Sequence, residues 1–136
     1  MEAQVIADTA LLAQAFARGS AMKRDMLRVE GGVLSPDEFA CRARLKVAEL
    51  DEEPLLWLDI DGERVYPAFQ IAGDGLLPGI GAVVEAFAIE EAWMRVNFML
   101  TSDARLGGKR PVDALREGRI SEVIEASQAY GEHGAA

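Results

Sequence analysis

The sequence predicts a mainly α-helical protein that carries one small β-hairpin and is organised in two parts. Half of its 136 residues are hydrophobic, which is enough apolar surface for a modest buried core. Apolar residues recur at helical spacing along most of the chain, whereas Asp61-Gly62, between two short apolar runs, is typical of a hairpin turn. We therefore expect a winged-helix-like N-terminal part over residues 1–71 and a helical bundle over residues 72–136.

Charge and cysteine content limit the classes of function. The formal net charge of −9 argues against a nucleic-acid footprint over the whole surface, because phosphates would be repelled. The single cysteine, Cys41, excludes an internal disulfide and a multi-cysteine zinc site. No apolar run approaches the ~18 residues that cross a membrane, and the N-terminus lacks the pattern of a secretory signal. We therefore expect a cytoplasmic protein without membrane contact.

Two helices are predicted at the start of the chain. Residues 4–17 place an apolar stripe on one face of an Ala-rich helix, formed by Val5, Thr9, Leu12, Ala13 and Phe16. Gly19-Ser20 ends this helix, and a second helix follows until Gly31-Gly32. Both have too little apolar area to fold alone, so we expect them to pack on the rest of the chain or on a second copy.

The winged-helix-like segment is predicted to run helix, helix, hairpin. Ser35 and Pro36 suit the cap and the first position of a helix, and a second short helix is predicted over residues 45–53. Residues 55–60 then predict a buried strand, and residues 63–66 predict its partner across the Asp61-Gly62 turn. Pro67 is expected to end the hairpin.

The helical bundle is predicted to begin after a turn at Gly73-Asp74-Gly75. A helix opens at Pro78-Gly79, and we expect it to pair with the helix that carries Trp93 as an antiparallel hairpin. Residues 101–110 are too polar and too rich in glycine to continue that helix.

The end of the chain is predicted to hold one short helix and one longer helix. Pro111 suits the first position of the short helix, Asp113 lies in the same turn, and Gly118 is placed to end it. The last helix has one apolar face, formed by Ile120, Val123, Ile124, Ser127 and Tyr130.

This pattern of breaks resembles the C-terminal toxin-binding domain of the Xre/MbcA/ParS-type antitoxins. That family shows a Trp-containing helix, a loop ending Leu-Gly-Gly-Arg/Lys-x-Pro, a short Asp-x-Leu helix, a glycine and a closing helix. The matching positions here are Trp93, Leu106, Gly107, Gly108, Lys109, Pro111, Asp113, Leu115, Gly118, Val123 and Ile124. Thr101-Ser102-Asp103 departs from the pattern, since the family often has Thr-Pro-Asn there.

The resemblance implies a function in binding another protein. Family members neutralise a partner toxin, commonly a RES-domain protein that destroys NAD⁺, by covering its active-site entrance. By this resemblance the chain is the antitoxin of a type II toxin–antitoxin pair, needs no cofactor, and forms a homodimer or a hetero-oligomer with its toxin. The alternatives are a DNA-binding transcriptional regulator or autorepressor, and an adaptor or localisation factor without a toxin.

Three kinds of residue are candidates for the toxin contact. Trp93 either lies in the core or borders the partner surface, and Leu106 is either an exposed anchor or a side chain tucked under its loop. Acidic side chains near the end of the chain suit a toxin that holds dinucleotide phosphates with basic groups. The candidate set is Trp93, Arg105, Leu106, Gly107, Gly108, Lys109, Arg110, Pro111, Glu117, Glu122, Glu125, Tyr130 and Glu132.

A DNA-binding role is the second hypothesis for the winged-helix-like segment. In chains of this family a small winged helix-turn-helix often precedes the toxin-binding domain, and the order of elements here is similar. Residues 34–71 hold nine acidic and four basic residues, so their net charge is near −5 and disfavours DNA phosphates. The candidate DNA contacts are Arg42, Arg44 and Lys46. Our preferred interpretation is a degenerate helix-turn-helix that serves as a scaffold.

No pattern of catalytic or metal-binding residues stands out. His133 is the only histidine and lies near the end of the chain, and Cys41 has the pattern of a small buried helix residue. Gly107-Gly108-Lys109 lacks the strand and the following Ser or Thr of a phosphate-binding loop. The acids of residues 59–63 do not have the spacing of a calcium-binding loop. We therefore expect neither an enzyme nor a metal protein.

Overall fold

The computed structural model describes residues 24–131. The helix predicted over residues 4–17 lies outside the described residues, and so do the candidate contact Glu132 and His133.

The described chain is mainly helical, with small antiparallel sheets, so the predicted fold class is confirmed. Its helices are α1 (described over residues 24–29), α2 (Pro36–Ala43), α3 (Ile80–Ala86), α4 (Ala92–Leu100), α5 (Pro111–Arg116) and α6 (Ile120–Ala129). Its strands are β1 (Val33–Leu34), β2 (Leu58–Ile60), β3 (Glu63–Pro67), β4 (Ile71–Ala72) and β5 (Gly75–Leu76). Short 3-10 turns lie at Val47–Asp51, Ala68–Gln70 and Ala104–Leu106.

The winged-helix-like segment is built on a three-stranded antiparallel sheet in the order β1-β3-β2. Leu58 on β2 lies opposite Val65 on β3. Asp61-Gly62 forms the turn between these strands with φ values of 55° and 83°, as a two-residue hairpin turn of type I′ requires. The carboxylate of Asp59 accepts the Gly62 N–H at 3.0 Å and thereby fixes the turn. The predicted hairpin is therefore confirmed, although β2 is shorter than expected.

Helix α2 begins where the sequence predicts it. The Ser35 hydroxyl accepts the N–H of Glu38 at 3.2 Å, and Pro36 occupies the first helical position. The opposite end is closed by Arg44, whose φ of 60° turns the chain out of the helix.

Cys41 on α2 is exposed, so the prediction that it is buried is wrong. The core face of this helix consists of Phe39, Ala40 and Ala43. Each residue of an α-helix is rotated by about 100° from the one before, so Cys41 lies beyond the edge of that face.

The second helix predicted for the winged-helix-like segment is not α-helical. Val47–Asp51 is a five-residue 3-10 turn, opened by a hydrogen bond of 2.9 Å from the Lys46 N–H to the Glu49 carboxylate. Its single buried residue is Leu50. One buried side chain is too little to hold a longer amphipathic helix against the sheet. The position of a recognition helix is therefore taken by a short acidic turn.

A buried glutamine pins the end of this segment. Gln70 is 0 % exposed, and its side-chain amide accepts the Leu56 N–H at 2.7 Å. The same amide donates to the carbonyl oxygens of Leu56 at 2.9 Å and Pro67 at 3.2 Å. Gln70 thus pairs with Leu56 much as a neighbouring strand would. Its neighbour Phe69 is buried in the larger core.

A second small hairpin occupies the turn predicted at Gly73-Asp74-Gly75. Strand β4 pairs antiparallel with β5, and Gly73-Asp74 makes the connection. The sequence predicts the turn but not the strands, because two-residue strands are too short to show periodicity. Residue 71, the predicted boundary between the two parts, lies on β4.

Helix α3 packs chiefly against α6, so the expected antiparallel pairing of α3 with α4 is wrong. Gly79 caps α3 with a φ of 86° and lies directly against Ile120 of α6. Helix α4 instead packs on α5, and its Phe98 meets Phe87 edge-to-face with ring centroids 5.2 Å apart. Adjacency in the sequence does not decide these pairings, since the buried faces of all four helices share one core.

Two hydrophobic clusters fill the interior. The smaller one lies within the winged-helix-like segment and is centred on Phe39 and Tyr66, whose rings stack with centroids 4.9 Å apart. The larger one fills the bundle, and it also takes Leu27, Leu56, Leu58 and Phe69 from before residue 71. The two parts of the chain therefore share a core.

Candidate partner-binding site

The loop before α5 is closed by its own backbone. The Asp103 N–H donates to the Lys109 carbonyl, and the Gly108 N–H donates to the Asp103 carbonyl, both at 3.0 Å. The Asp103 carboxylate also accepts the Arg105 N–H at 2.7 Å and thereby caps the 3-10 turn Ala104–Leu106. These bonds hold the loop in one defined conformation.

Leu106 lies under this loop and is only 1 % exposed. Of the two hypotheses that the sequence left open, the tucked side chain is confirmed and the exposed anchor is wrong. Gly107 and Gly108 are exposed, with φ values of 69° and 85° that glycine adopts without strain. The outer face of the loop is therefore glycine backbone flanked by two exposed cations. We call Arg105, Gly107, Gly108 and Lys109 the loop surface.

Helix α5 begins and ends where the sequence predicts. Pro111 occupies its first position, but this residue is buried and is not available to a partner. Gly118 follows the helix with a φ of 85°, and its N–H donates to the Leu115 carbonyl oxygen at 3.0 Å. The Arg119 N–H donates to the Ala114 carbonyl oxygen at the same distance, and the two hydrogen bonds together form a Schellman motif. The corner between α5 and α6 is therefore fixed by backbone bonds.

Behind the loop, four charged residues form an ionic cluster: Glu30, Arg110, Asp113 and Arg116. Arg110 donates from Nη2 to Glu30 at 2.7 Å and from Nε to Asp113 at 2.8 Å. Arg116 donates to the second Glu30 oxygen at 2.9 Å and to Asp113 at 3.3 Å. The Glu30 side chain is 10 % exposed. The ionic cluster therefore ties the end of α1 to the loop and to α5.

The ionic cluster stabilises its carboxylates in the charged form. Burial acts to raise the pKa of Glu30, but hydrogen bonds from Arg116 and Arg110 outweigh it, so the pKa is lowered. The pKa of Asp113 is lowered mainly by its hydrogen bond from Arg110. The same hydrogen bond raises the pKa of Arg110. Arg110 is a predicted partner contact, yet most of its donors are already used inside the chain.

The acidic candidates on the last two helices are exposed. Glu117 forms an ion pair with Lys109 of the loop surface, and Glu122 forms one with Arg119. The hydrogen bond from Arg119 lowers the pKa of Glu122. Glu125 forms no ion pair with a described residue. Lys109 and Glu117 are the predicted contacts that the structure brings together across two elements.

Trp93 and Tyr130, the aromatic candidates, border a groove rather than the loop. This apolar groove has a volume of about 250 Å³ and is lined by Met26, Glu91, Trp93, Met94, Val96, Asn97 and Tyr130. Both aromatic side chains are half-buried. Asn97 donates to the Tyr130 hydroxyl at 3.4 Å, and the rings of Tyr130 and Phe98 lie 5.1 Å apart.

Glu91 fixes the start of α4 at the rim of the groove. Its carboxylate accepts the N–H groups of Trp93 at 3.1 Å and of Met94 at 2.7 Å. This cap satisfies two backbone donors that a helix start otherwise leaves unpaired. The cap thereby fixes the helix backbone from which the Trp93 and Met94 side chains extend along the groove.

The candidate DNA contacts Arg42, Arg44 and Lys46 are exposed around the end of α2. Arg44 lies 3.7 Å from Asp74 of the second hairpin. The acidic turn Val47–Asp51 follows directly, and Arg64 of the wing pairs with its Asp51 at 2.8 Å. The patch is therefore small and bounded by acids.

Sequence reasoning missed several residues of these sites. Glu30 could not be found, because its partner Arg110 is 80 positions away. Met94 gave no sequence signal that separates it from a core residue, because consecutive apolar residues of the same helix, such as Met99 and Leu100, do lie in the core. Met26 and Asn97 also gave no sequence signal, because they lie on different helices, α1 and α4, and line the same groove only in the folded chain.

Within the described residues, no group of three or more His, Cys, Asp or Glu side chains is arranged to hold a metal ion. Over the same residues, no helix has both the length and the apolar character needed to cross a membrane.

Comparison with known proteins gives a match to a family model. Residues 87–131 match a protein family described as the Rv2175c C-terminal domain of unknown function. This range contains α4, the loop surface, α5 and α6. No curated protein and no solved structure matches the chain.

Proposed function

We propose that this protein is the antitoxin of a type II toxin–antitoxin pair. In this proposal the bundle binds a toxin through the loop surface and the adjoining acids of α5 and α6, and covers the toxin's active site. The toxin is a RES-domain protein that degrades NAD⁺. The basis for the family assignment is the pattern of residues 93–124, which lies inside the range that matches a family model.

The observation that carries the proposal is the fixed conformation of the loop surface. Leu106 anchors the loop from below and the ionic cluster braces it from behind, while Gly107, Gly108 and Lys109 are exposed. A surface that is already ordered loses little conformational entropy on binding, which favours tight stoichiometric inhibition. In the Leu-Gly-Gly-Lys-x-Pro pattern, Leu and Pro then have structural roles, and Gly-Gly-Lys is left for the partner.

Charge supports a role for the acids that adjoin the loop surface. A toxin that acts on NAD⁺ needs basic groups for the two phosphates, and an acidic inhibitor is attracted to such a mouth. Glu117 and Glu122 are partly neutralised by Lys109 and Arg119, whereas Glu125 forms no ion pair with a described residue. We therefore assign Glu125 the leading electrostatic role among the three.

A DNA-binding function is less favoured by the geometry. A major-groove reader needs a helix or a two-stranded ribbon that carries basic and amide side chains. Here the corresponding position is a five-residue 3-10 turn that contains Glu49 and Asp51. The wing adds Asp59, Asp61 and Glu63, so phosphates would be repelled from both sides of the patch.

Co-expression with the product of the neighbouring gene tests the proposal. We expect that product to stop growth and deplete NAD⁺ when expressed alone, and to be harmless and co-purify when expressed with this chain. An Arg105→Ala/Lys109→Ala double variant should weaken the complex at least about tenfold, as expected when central contacts are removed. The matched control is Arg42→Ala/Lys46→Ala, which makes the same charge change on the winged-helix-like segment.

Two results would overturn the proposal. If the neighbouring product is harmless and forms no complex, the bundle is not an antitoxin domain, and salt-dependent promoter binding becomes the next measurement. If the complex forms but both double variants bind equally well, the loop surface is not the contact.

A further inference from the structure

Strand β2 is an edge strand of the winged-helix-like segment. The three-stranded sheet has the order β1-β3-β2, so among the described residues β2 pairs on one side only. Ile60 lies opposite Glu63 across the two-residue turn, which makes these residues a hydrogen-bonded pair. Backbone groups alternate between the two edges of a strand, so those of Leu58 also face β3. The N–H and C=O of Asp59 consequently face away from the sheet.

The same alternation continues before β2. The side-chain amide of Gln70 binds both the N–H and the C=O of Leu56, so these groups face inward like those of Leu58. The N–H and C=O of Trp57 therefore face outward, as those of Asp59 do. Within the described chain, no backbone–backbone hydrogen bond outside the ladder of β2 and β3 reaches Trp57 or Asp59. We call the outward side of these two residues the β2 edge.

The Trp57 side chain lies beside the β2 edge and is 42 % exposed. The Arg64 guanidinium lies 3.9 Å from the centre of its ring, and Asp51 holds that guanidinium by a hydrogen bond of 2.8 Å. This stacking keeps a large aromatic surface in one orientation although it is exposed to solvent. Tryptophan side chains are among those that most often dominate the affinity of an interface.

A cavity of about 270 Å³ lies next to Trp57. Its walls come from the residues before β2 and from the start of α4: Leu55, Leu56, Trp57, Glu90, Ala92 and Arg95. The volume is below the ~300–1,000 Å³ typical of small-molecule sites and suits a side chain of an added strand. Arg95 already donates from Nε to the Ile89 carbonyl oxygen at 2.7 Å, whereas Glu90 forms no ion pair with a described residue. The cavity therefore combines apolar walls with an acid that can bind a cation.

The charge around the β2 edge identifies the chemistry of the partner. Residues 49–63 contain seven acidic residues and no basic residue. Charged side chains on an edge strand prevent its pairing with further copies of the same chain, which is acidic as a whole. The same charges attract an extended segment that is rich in lysine or arginine, and they raise its association rate.

We propose that the β2 edge binds an extended basic segment of a partner protein as an added strand, with one side chain of that segment in the cavity beside Trp57. Main-chain hydrogen bonds to Trp57 and Asp59 supply affinity, and the cavity and the surrounding acids supply specificity. The β2 edge contains none of the loop-surface residues, so the proposal does not depend on the proposed antitoxin function.

A labelled peptide tests the proposal on the full chain. The probe is a fluorescein-labelled, end-capped octapeptide that alternates valine and arginine, and fluorescence anisotropy measures its binding. We expect saturable binding that weakens as the salt concentration rises, because exposed charges are screened. A peptide with glutamate in place of arginine should not bind. The proposal is overturned if the arginine peptide does not bind or if the glutamate peptide binds equally well.

N-methylation of the arginine peptide distinguishes strand addition from charge attraction alone. In an extended peptide, the N–H groups of successive residues face opposite edges. Methyl groups on one alternate set of nitrogens should therefore abolish binding, whereas the same number on the other set should leave it nearly unchanged. Equal affinities of the two methylated peptides would contradict strand addition. In a second measurement, the unmethylated peptide should slow hydrogen exchange of the Trp57 and Asp59 amides and leave that of the loop surface unchanged.

Trp57→Ala should weaken binding of the arginine peptide at least about tenfold, because a central aromatic contact is lost. The matched control is Val29→Ala, which removes another exposed apolar side chain, before β1 at the opposite edge of the sheet. If Trp57→Ala lowers the unfolding midpoint, Glu90→Lys at the cavity and its control Glu85→Lys on α3 replace this pair. Equal affinities of a variant and its control would show that the peptide binds elsewhere.

Discussion

Glu30 and Arg110 lie 80 positions apart in the sequence and are joined by a hydrogen bond of 2.7 Å from Arg110 Nη2 to Glu30 Oε1. Arg116 binds the other oxygen of the same carboxylate. The nearly buried carboxylate of Glu30, at the end of α1, therefore binds both Arg110, which directly precedes α5, and Arg116, which is the last residue of α5. The conformation of the loop surface depends on a residue far from it in the chain.

Glu30→Gln should lower the free energy of unfolding by about 1–2 kcal/mol, between the values for exposed and fully buried ion pairs. The amide keeps the volume but removes the charge that Arg110 and Arg116 share. Denaturant unfolding measures the loss, and Glu63→Gln on the exposed wing is the matched control. Equal losses in the two variants would show that the ionic cluster adds nothing beyond surface charge.

The ionic cluster should also make stability depend on acidity. Because the pKa values of Glu30 and Asp113 are lowered in the folded chain, their stabilisation is complete above the ordinary values of 4.5 and 3.8. It is lost as the pH falls through the lowered folded values. The stability difference between the natural chain and Glu30→Gln should therefore shrink below about pH 4.5. Thermal unfolding between pH 7 and pH 3 measures it, and a constant difference would contradict the assignment.

Gln70→Met should cost about 2–4 kcal/mol, because it leaves the buried N–H and C=O of Leu56 without their partners. Methionine has a similar volume, so little of the loss would come from a cavity. Gln128→Met on the exposed side of α6 is the control. If denaturant unfolding gives the same midpoint for both, water must replace the lost hydrogen bonds.

Gly79→Ala and Gly62→Ala separate backbone strain from crowding. Both glycines have φ near 85°, and each alanine should cost about 1 kcal/mol for that conformation. A Cβ at Gly79 would also lie 2.8 Å from Ile120 Cγ1, whereas nothing lies within 4 Å at Gly62. Gly79→Ala should therefore be the more destabilising, and Ile120→Ala in the same chain should recover part of the difference. A calorimetric double-mutant cycle without such coupling would contradict this packing.

Reversal of the exposed acids tests the charge argument for toxin binding. Glu117→Lys/Glu122→Lys/Glu125→Lys should slow association with the toxin and weaken its dependence on salt, because attraction to a basic mouth is removed. Glu52→Lys/Glu53→Lys/Glu63→Lys makes an equal charge change elsewhere. Stopped-flow association rates at several salt concentrations compare them. Identical rates for the two triple variants would exclude a specific role for these acids.

The residues at which several helices and turns begin or end were predictable from the sequence. The caps and breaks at Ser35, Asp61-Gly62, Pro111 and Gly118 lie where they were expected. Each depends on the backbone preferences of one or two residues, which act before any tertiary contact forms.

Features set by long-range packing were not predictable. The pairing of α3 with α6 and the bond between Glu30 and Arg110 depend on which faces meet in the common core. The sequence also could not decide whether Leu106 was exposed, since a leucine between loop residues fits both environments. At Val47–Asp51 helical propensity was overridden, because only Leu50 of that segment finds a place in the core.

The core of the bundle is incomplete without Leu27, Leu56, Leu58 and Phe69, which come from the other part of the chain. A protease cuts segments that unfold locally. The free energy of local unfolding rises when an element cannot detach without exposing the apolar face of its neighbour to water. Degradation within residues 27–126 should therefore follow the population of globally unfolded molecules. A substitution that weakens this core in either part should shorten the cellular lifetime of the whole protein. Under the proposed function, it should also shorten the time for which a bound toxin stays blocked.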